Sequence, residues 1–123
     1  MTMPAAELFP APVVISRLTR YFEKTYQLGT GQAEQMVDSS RRSLEKILAH
    51  TGVALQSDDA GGEMVKIGHS LKGVLLIMGE GEWADVARDL ERSARQGECR
   101  DYARILAGLA EGMAAVLGYE KSC

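Results

Sequence analysis

Residues 68–79 read GHSLKGVLLIMG. Wound as an α-helix at about 100° per residue, this segment and the turns before it divide into two faces. With His69 placed at zero, Gly62, Val65, Lys66, Lys72, Gly73 and Leu76 fall within about 60° of it. Met64, Ile67, Leu71, Val74, Leu75 and Met78 lie more than about 115° away. That far side is the core stripe. His69 therefore stands at the centre of the exposed face, flanked by Lys66 and Lys72, with Gly73 one turn on. A helix that only needed to fold would do better with Ala or Glu at such positions.

The chain around this segment reads as further helices. Gly79-Glu80-Gly81 breaks the histidine helix, which is expected over residues 59–78, its start softened by Gly61-Gly62. The next predicted helix sets Trp83, Val86, Ala87, Leu90 and Ala94 on one side, and Gly97 closes it as a C′ glycine. A last one carries Tyr102, Ile105, Leu106, Leu109, Met113, Val116 and Leu117 and ends near Gly118. Upstream, residues 32–56 carry Met36, Val37, Leu44, Ile47, Leu48 and Leu55 in the i, i+3, i+4 rhythm, with Thr30 as the expected N-cap. Before them Val14, Leu18, Tyr21 and Phe22 mark a short amphipathic helix stopped at Leu28-Gly29. All three prolines lie in the first twelve residues, so the helices run without that interruption. Short connections make consecutive helices antiparallel neighbours. The expected fold is all-α: an antiparallel up-down four-helix bundle with a short extra N-terminal helix. Residues 1–12 are expected to form a flexible lead-in and residues 13–119 a single domain.

Composition narrows the function. The 123 residues are one domain's worth, 46% apolar and 6% aromatic, which suits helices packed through Leu, Ile, Val, Ala and Met. A net charge of −3 argues against general binding to nucleic acid or a membrane surface. No apolar run approaches the roughly 20 residues that span a bilayer, and the first residues lack the pattern of a signal peptide. Cys99 and Cys123 have no metal-like spacing and fit a reducing compartment. The expectation is a cytoplasmic monomer, and the initial Met and lead-in favour an independent protein.

The chemistry is read from the exposed face. A near-neutral imidazole can present an unprotonated nitrogen as a nucleophile. Two lysines beside it favour a bound anion. Glycine at position 73 costs about 1 kcal/mol relative to Ala in a helix interior, yet lets another molecule approach the backbone. Val65 and Leu76 are apolar residues on the same face, as expected of a surface that a partner covers. These features together suit acceptance of a phosphoryl group.

The pattern His69-Ser70-Leu71-Lys72-Gly73, followed by an apolar run and Gly79, resembles the histidine-containing phosphotransfer family. The upstream YFEKTYQLGTGQAEQMVDSSRRSLEKIL is similar to that family's second-helix entry, and ADVARDLERSARQGE to its fourth helix, with Leu90-Glu91 as the LE pair. The likeness covers roughly residues 15–117. It implies a phosphocarrier without an ATP site and so not itself an enzyme. The chain would relay a phosphoryl group between receiver-domain aspartates, or from a histidine kinase, in a two-component phosphorelay. His69 would be the phosphoacceptor, through Nε2. Lys72 would stabilise the phosphoryl oxygens, and Gly73 would leave room for the incoming receiver. No cofactor is expected on this chain; Mg²⁺ would belong to the receiver partner. A polar group on the family's fourth helix often bonds the other ring nitrogen, and Glu91 is the candidate here. The competing reading of Glu91 is a helical-spacing pair with Arg88 or Arg95. Val65, Lys66 and Leu76, with Arg41 and Arg42 from the second predicted helix, are the candidate docking surface for a response-regulator receiver domain or a hybrid kinase. Two positions depart from the family pattern. Gly68 stands where Ala or Thr is common and is expected to soften the helix. Val74 stands where Ser or Ala is common and is expected to require repacking.

The alternative is an interaction module that binds a receiver without being phosphorylated, although such modules usually lose the histidine. A general-base enzyme would need a pocket and a second catalytic group, which an exposed helix face does not offer. His50 is read as a basic residue favourable near a helix C-terminus. Met64, Met78 and Met113 are read as core, and Trp83 as an anchor for the fourth helix.

Overall fold

The computed structural model describes residues 9–120, and within them every regular element is a helix. These are α1 (Ile15–Tyr26), α2 (Thr30–Ala49), α3 (Thr51–Leu55), α4 (Ala60–Ile77), α5 (Gly81–Arg95), α6 (Tyr102–Gly112) and α7 (Ala114–Leu117). The amphipathic stripes read above become one core. Leu18 and Phe22 of α1, Val37 and Leu44 of α2, Met64, Leu71 and Leu75 of α4, Trp83 and Leu90 of α5, and Ile105 and Leu109 of α6 are all nearly or fully buried. Met78 and Met113 are buried with them, as expected of core methionines. α4 and α5 form the most extensive helix pair; α2 packs on α1, α4 and α7.

Local chemistry sets the ends of the helices. Asp59 caps α4, its carboxylate accepting from the Gly62 amide at 3.2 Å. Gly79 follows α4 at φ +72°, a left-handed conformation that glycine adopts freely, and the Glu80 amide donates back to the Leu75 carbonyl at 2.9 Å. Gly97, at φ +69°, closes α5 in the same way. The N-cap of α2 is Gly29 rather than Thr30. The Gly29 amide donates to the Gln32 side chain, while the Thr30 hydroxyl is turned to Glu23.

The structure divides two of the expected helices. The run over residues 32–56 breaks at His50, giving α2 and the five-residue α3. The last predicted helix breaks at Met113 into α6 and α7. Amphipathic rhythm continues across both breaks, so periodicity alone carries no sign of them.

Part of the expected lead-in, at Phe9 and Ala11, touches the bundle. Residues 1–8 lie outside the described residues. Phe9, however, stacks on Trp83 with ring centroids 6.0 Å apart, and the Trp83 indole donates to the Ala11 carbonyl at 2.9 Å. The Val13 amide donates to the Gly112 carbonyl at 3.0 Å. Trp83 anchors α5 as expected, and it also holds the chain's entry against the bundle. Among the described residues, no helix is long and apolar enough to cross a membrane.

Candidate functional site

His69 projects from the middle of α4 with 71% of its side chain exposed. The helix presents the two faces expected of it. Met64, Ile67, Leu71 and Leu75 are buried, while Lys66, His69, Gly73 and Leu76 are exposed and Val65, Lys72 and Val74 are half-buried.

The histidine does not stand alone. Its Nδ1 lies 3.5 Å from Oε1 of Glu91 on α5, and Lys72 Nζ donates to the same oxygen at 3.3 Å. A guanidinium nitrogen of Arg95 lies 3.7 Å from the other oxygen, Oε2. One carboxylate, only 8% exposed, is therefore shared by three basic side chains. The alternatives drawn from sequence coexist: Glu91 faces the imidazole and also meets Arg95 at helical spacing, whereas Arg88 pairs with Asp85 at 3.1 Å. Burial pushes the Glu91 carboxyl upward. The hydrogen bond and charge of Lys72, with those of His69, outweigh burial and hold it below its ordinary value. Glu91 is thus ionised at neutral pH.

Gly68 makes this arrangement possible. A Cβ on it would sit 2.9 Å from the Glu91 amide nitrogen and 3.0 Å from the Ala87 carbonyl oxygen, both backbone atoms of α5. Gly68 is buried, and its missing side chain lets α5 approach closely, a role beyond the expected softening of the helix. Gly73 is its opposite. A Cβ there would meet nothing within 4 Å, so its surface is open.

The docking candidates divide. Lys66 lines an open groove of about 870 Å³ between α2 and α4, with Ser43, Lys46, Ile47, His50, Glu63, Ile67, Ser70 and Val74. Leu76 lies on the His69 face, 49% exposed, followed by Ile77, 51% exposed. Arg41 and Arg42 are not among the residues of the groove. Arg41 is engaged within α2 by Asp38 and Glu45, both at 2.8 Å, and Arg42 lies 3.5 Å from Asp38. The α2 residues that line this groove beside the histidine helix are Ser43, Lys46 and Ile47, with His50 at the helix's C-cap. His50 ends α2, as its sequence position suggested, and its Nε2 lies 3.2 Å from the Glu63 carboxylate of α4. At about 100° per residue Lys46 falls nearly opposite the buried face of Val37, Ser40 and Leu44, so counting from that face does not single it out.

Among the described residues, no group of three or more His, Cys, Asp or Glu is placed to hold a metal ion. Cys99 is exposed and unpaired by disulfide. No family model, curated protein or solved structure matches this chain. The site's own geometry therefore carries the functional argument.

Proposed function

We propose that this chain is a cytoplasmic histidine phosphocarrier. It takes a phosphoryl group onto Nε2 of His69 from a receiver-domain aspartate or a histidine kinase and passes it to another aspartate. The observation that carries the reading is the exposed imidazole whose Nδ1 faces a buried carboxylate. An Nδ1–H held toward Glu91 leaves the Nε2 lone pair free. That lone pair attacks the phosphorus of an acyl phosphate. The N–P bond forms, the P–O bond to the aspartate breaks, and the aspartate leaves as carboxylate with the electron pair. Positive charge develops on the ring, and the Glu91 carboxylate beyond Nδ1–H stabilises it. Lys72 supplies the ammonium for the phosphoryl oxygens. Gly73 leaves the approach open, and Val65, Lys66 and Leu76 would be covered by the docked receiver. Transfer of this kind needs positioning and charge neutralisation more than covalent machinery, so an acceptor can be this simple. The proposed arrangement is an antiparallel up-down bundle of α2, α4, α5 and the α6–α7 unit, with α1 laid against α2.

The test mixes the protein with phosphorylated receiver domains and follows it by mass and ³¹P NMR. An acid-labile phosphoryl group that is absent from His69→Gln is the expected result. A receiver that binds the same face without transferring its phosphoryl group would replace the carrier reading with the interaction module.

A further inference from the structure

We infer that Arg95 is a positioning residue: the counter-ion that lets Glu91 release Lys72 to the phosphoryl group. This deepens the phosphocarrier reading and rests on it. Glu91 is buried, ionised and shared. His69 and Lys72 both address Oε1, at 3.5 and 3.3 Å, while Arg95 addresses Oε2 at 3.7 Å. The ammonium expected to meet an incoming phosphoryl group is thus already committed to a carboxylate. A buried carboxylate left without a cation is strongly destabilising, so Lys72 cannot simply leave. Arg95 resolves the conflict. It sits one helical turn beyond Glu91, is 67% exposed, and has the reach of a long, always-charged side chain. Its position on the opposite oxygen means that it can close on Glu91 without displacing the imidazole. The other α5 arginines are engaged elsewhere, Arg88 by Asp85 and Arg92 by Asp89.

In the resting state Lys72 and Arg95 share the carboxylate. When His69 takes the phosphoryl group, the new dianionic oxygens compete for Lys72. The ammonium turns toward them, and Arg95 tightens on Glu91 through both carboxylate oxygens or the free one. The Nδ1–H contact survives throughout, so the ring keeps the orientation that transfer needs. The covalent change is that of the transfer alone, the N–P bond formed and the donor's bond to phosphorus broken; the shift of Lys72 and Arg95 exchanges only ion pairs.

The experiment has two arms on the full chain. In the first, without any phosphodonor, urea unfolding is measured for the wild type, Lys72→Gln, Arg95→Gln, the double variant, and Lys72→Gln combined with Arg95→Lys. If each cation can cover for the other, the unfolding constant of the double variant exceeds the product of the single effects by about fivefold or more. Lysine at 95 removes most of that excess. Single effects that simply multiply would overturn the counter-ion role. In the second arm, phosphoramidate is the phosphodonor and ³¹P NMR follows the phosphohistidine. Arg95→Gln is expected to shorten its half-life two- to fivefold, because Glu91 retains Lys72. Arg95→Lys restores the half-life, and Arg88→Gln leaves it unchanged. An unchanged half-life in Arg95→Gln would overturn the hand-over. No phosphorylation of His69 by either phosphoramidate or phosphorylated receivers would overturn the phosphocarrier reading and the hand-over together. The unfolding arm needs no phosphate and still decides whether Arg95 and Lys72 substitute for one another at Glu91.

Discussion

Two glycines on one helix, five residues apart, have opposite meanings. Gly68 is pressed against the backbone of α5, and Gly73 faces open space. Gly68→Ala should destabilise the protein by about 1–3 kcal/mol, because the atoms it meets are backbone and cannot turn aside. Gly73→Ala should stabilise it by roughly 0.5–1 kcal/mol, since alanine is the better helix former and nothing crowds it. Urea unfolding of the two variants checks both signs. Under the phosphocarrier reading Gly73→Ala also slows transfer from a receiver, so stability and activity would move in opposite directions. Glu91→Gln tests the remaining residue of the site. The amide should leave both nitrogen positions of His69 populated with the proton, whereas the carboxylate favours Nδ1–H; ¹⁵N NMR of the ring reports the difference.

The elements are held by features that a sequence displays openly. Asp59 sits at the start of α4 with its side chain on the Gly62 amide, and Asp59→Ala should cost about 1 kcal/mol, measured by chemical denaturation. Gly79 ends the same helix at φ +72°, and a Cβ there would lie 2.4 Å from the Tyr21 ring. Both ends of the histidine helix were therefore legible from an N-cap residue and a Gly-Glu-Gly break. The face of the helix was legible as well, because an apolar stripe at helical spacing leaves the opposite side to solvent. The breaks at His50 and Met113 were not. A helix can end while its apolar rhythm continues; here α7 packs chiefly on the sequence-remote α2, and α3 packs on the adjoining α4 and on α6.

At the scale of the whole molecule, charge sets the response to acid. Glu91 lies below its ordinary value of 4.5, against burial, because Lys72 and His69 favour its charged form. Asp89 is likewise held below its ordinary value of 3.8; burial opposes this, and its bonds from Arg100 and Arg92 outweigh burial. A carboxylate depressed in the folded state contributes its stability fully above its unfolded value. That contribution is lost as pH falls through the lower folded value. Stability should therefore decline on acidification below about pH 4.5, and more gently in Glu91→Gln. Glu80 works the other way. Burial raises it, so its contribution is present below its unfolded value and lost as pH rises through the raised one. Urea midpoints across pH 3–7 separate these terms.

The sequence by itself determined the helical class, the core stripes and an exposed His69 between Lys66 and Lys72. All three follow from repeat spacing and side-chain polarity, which are local properties. Tertiary structure alone decided that Lys72 and His69 share one carboxylate and that Gly68 must be small. It also decided that Ser43, Lys46 and Ile47, rather than Arg41 or Arg42, line the groove beside the histidine helix. Each of these depends on the rotation and closeness of helices against one another. The approach of two helices is set by the summed packing of their faces, and no spacing within a single helix encodes it.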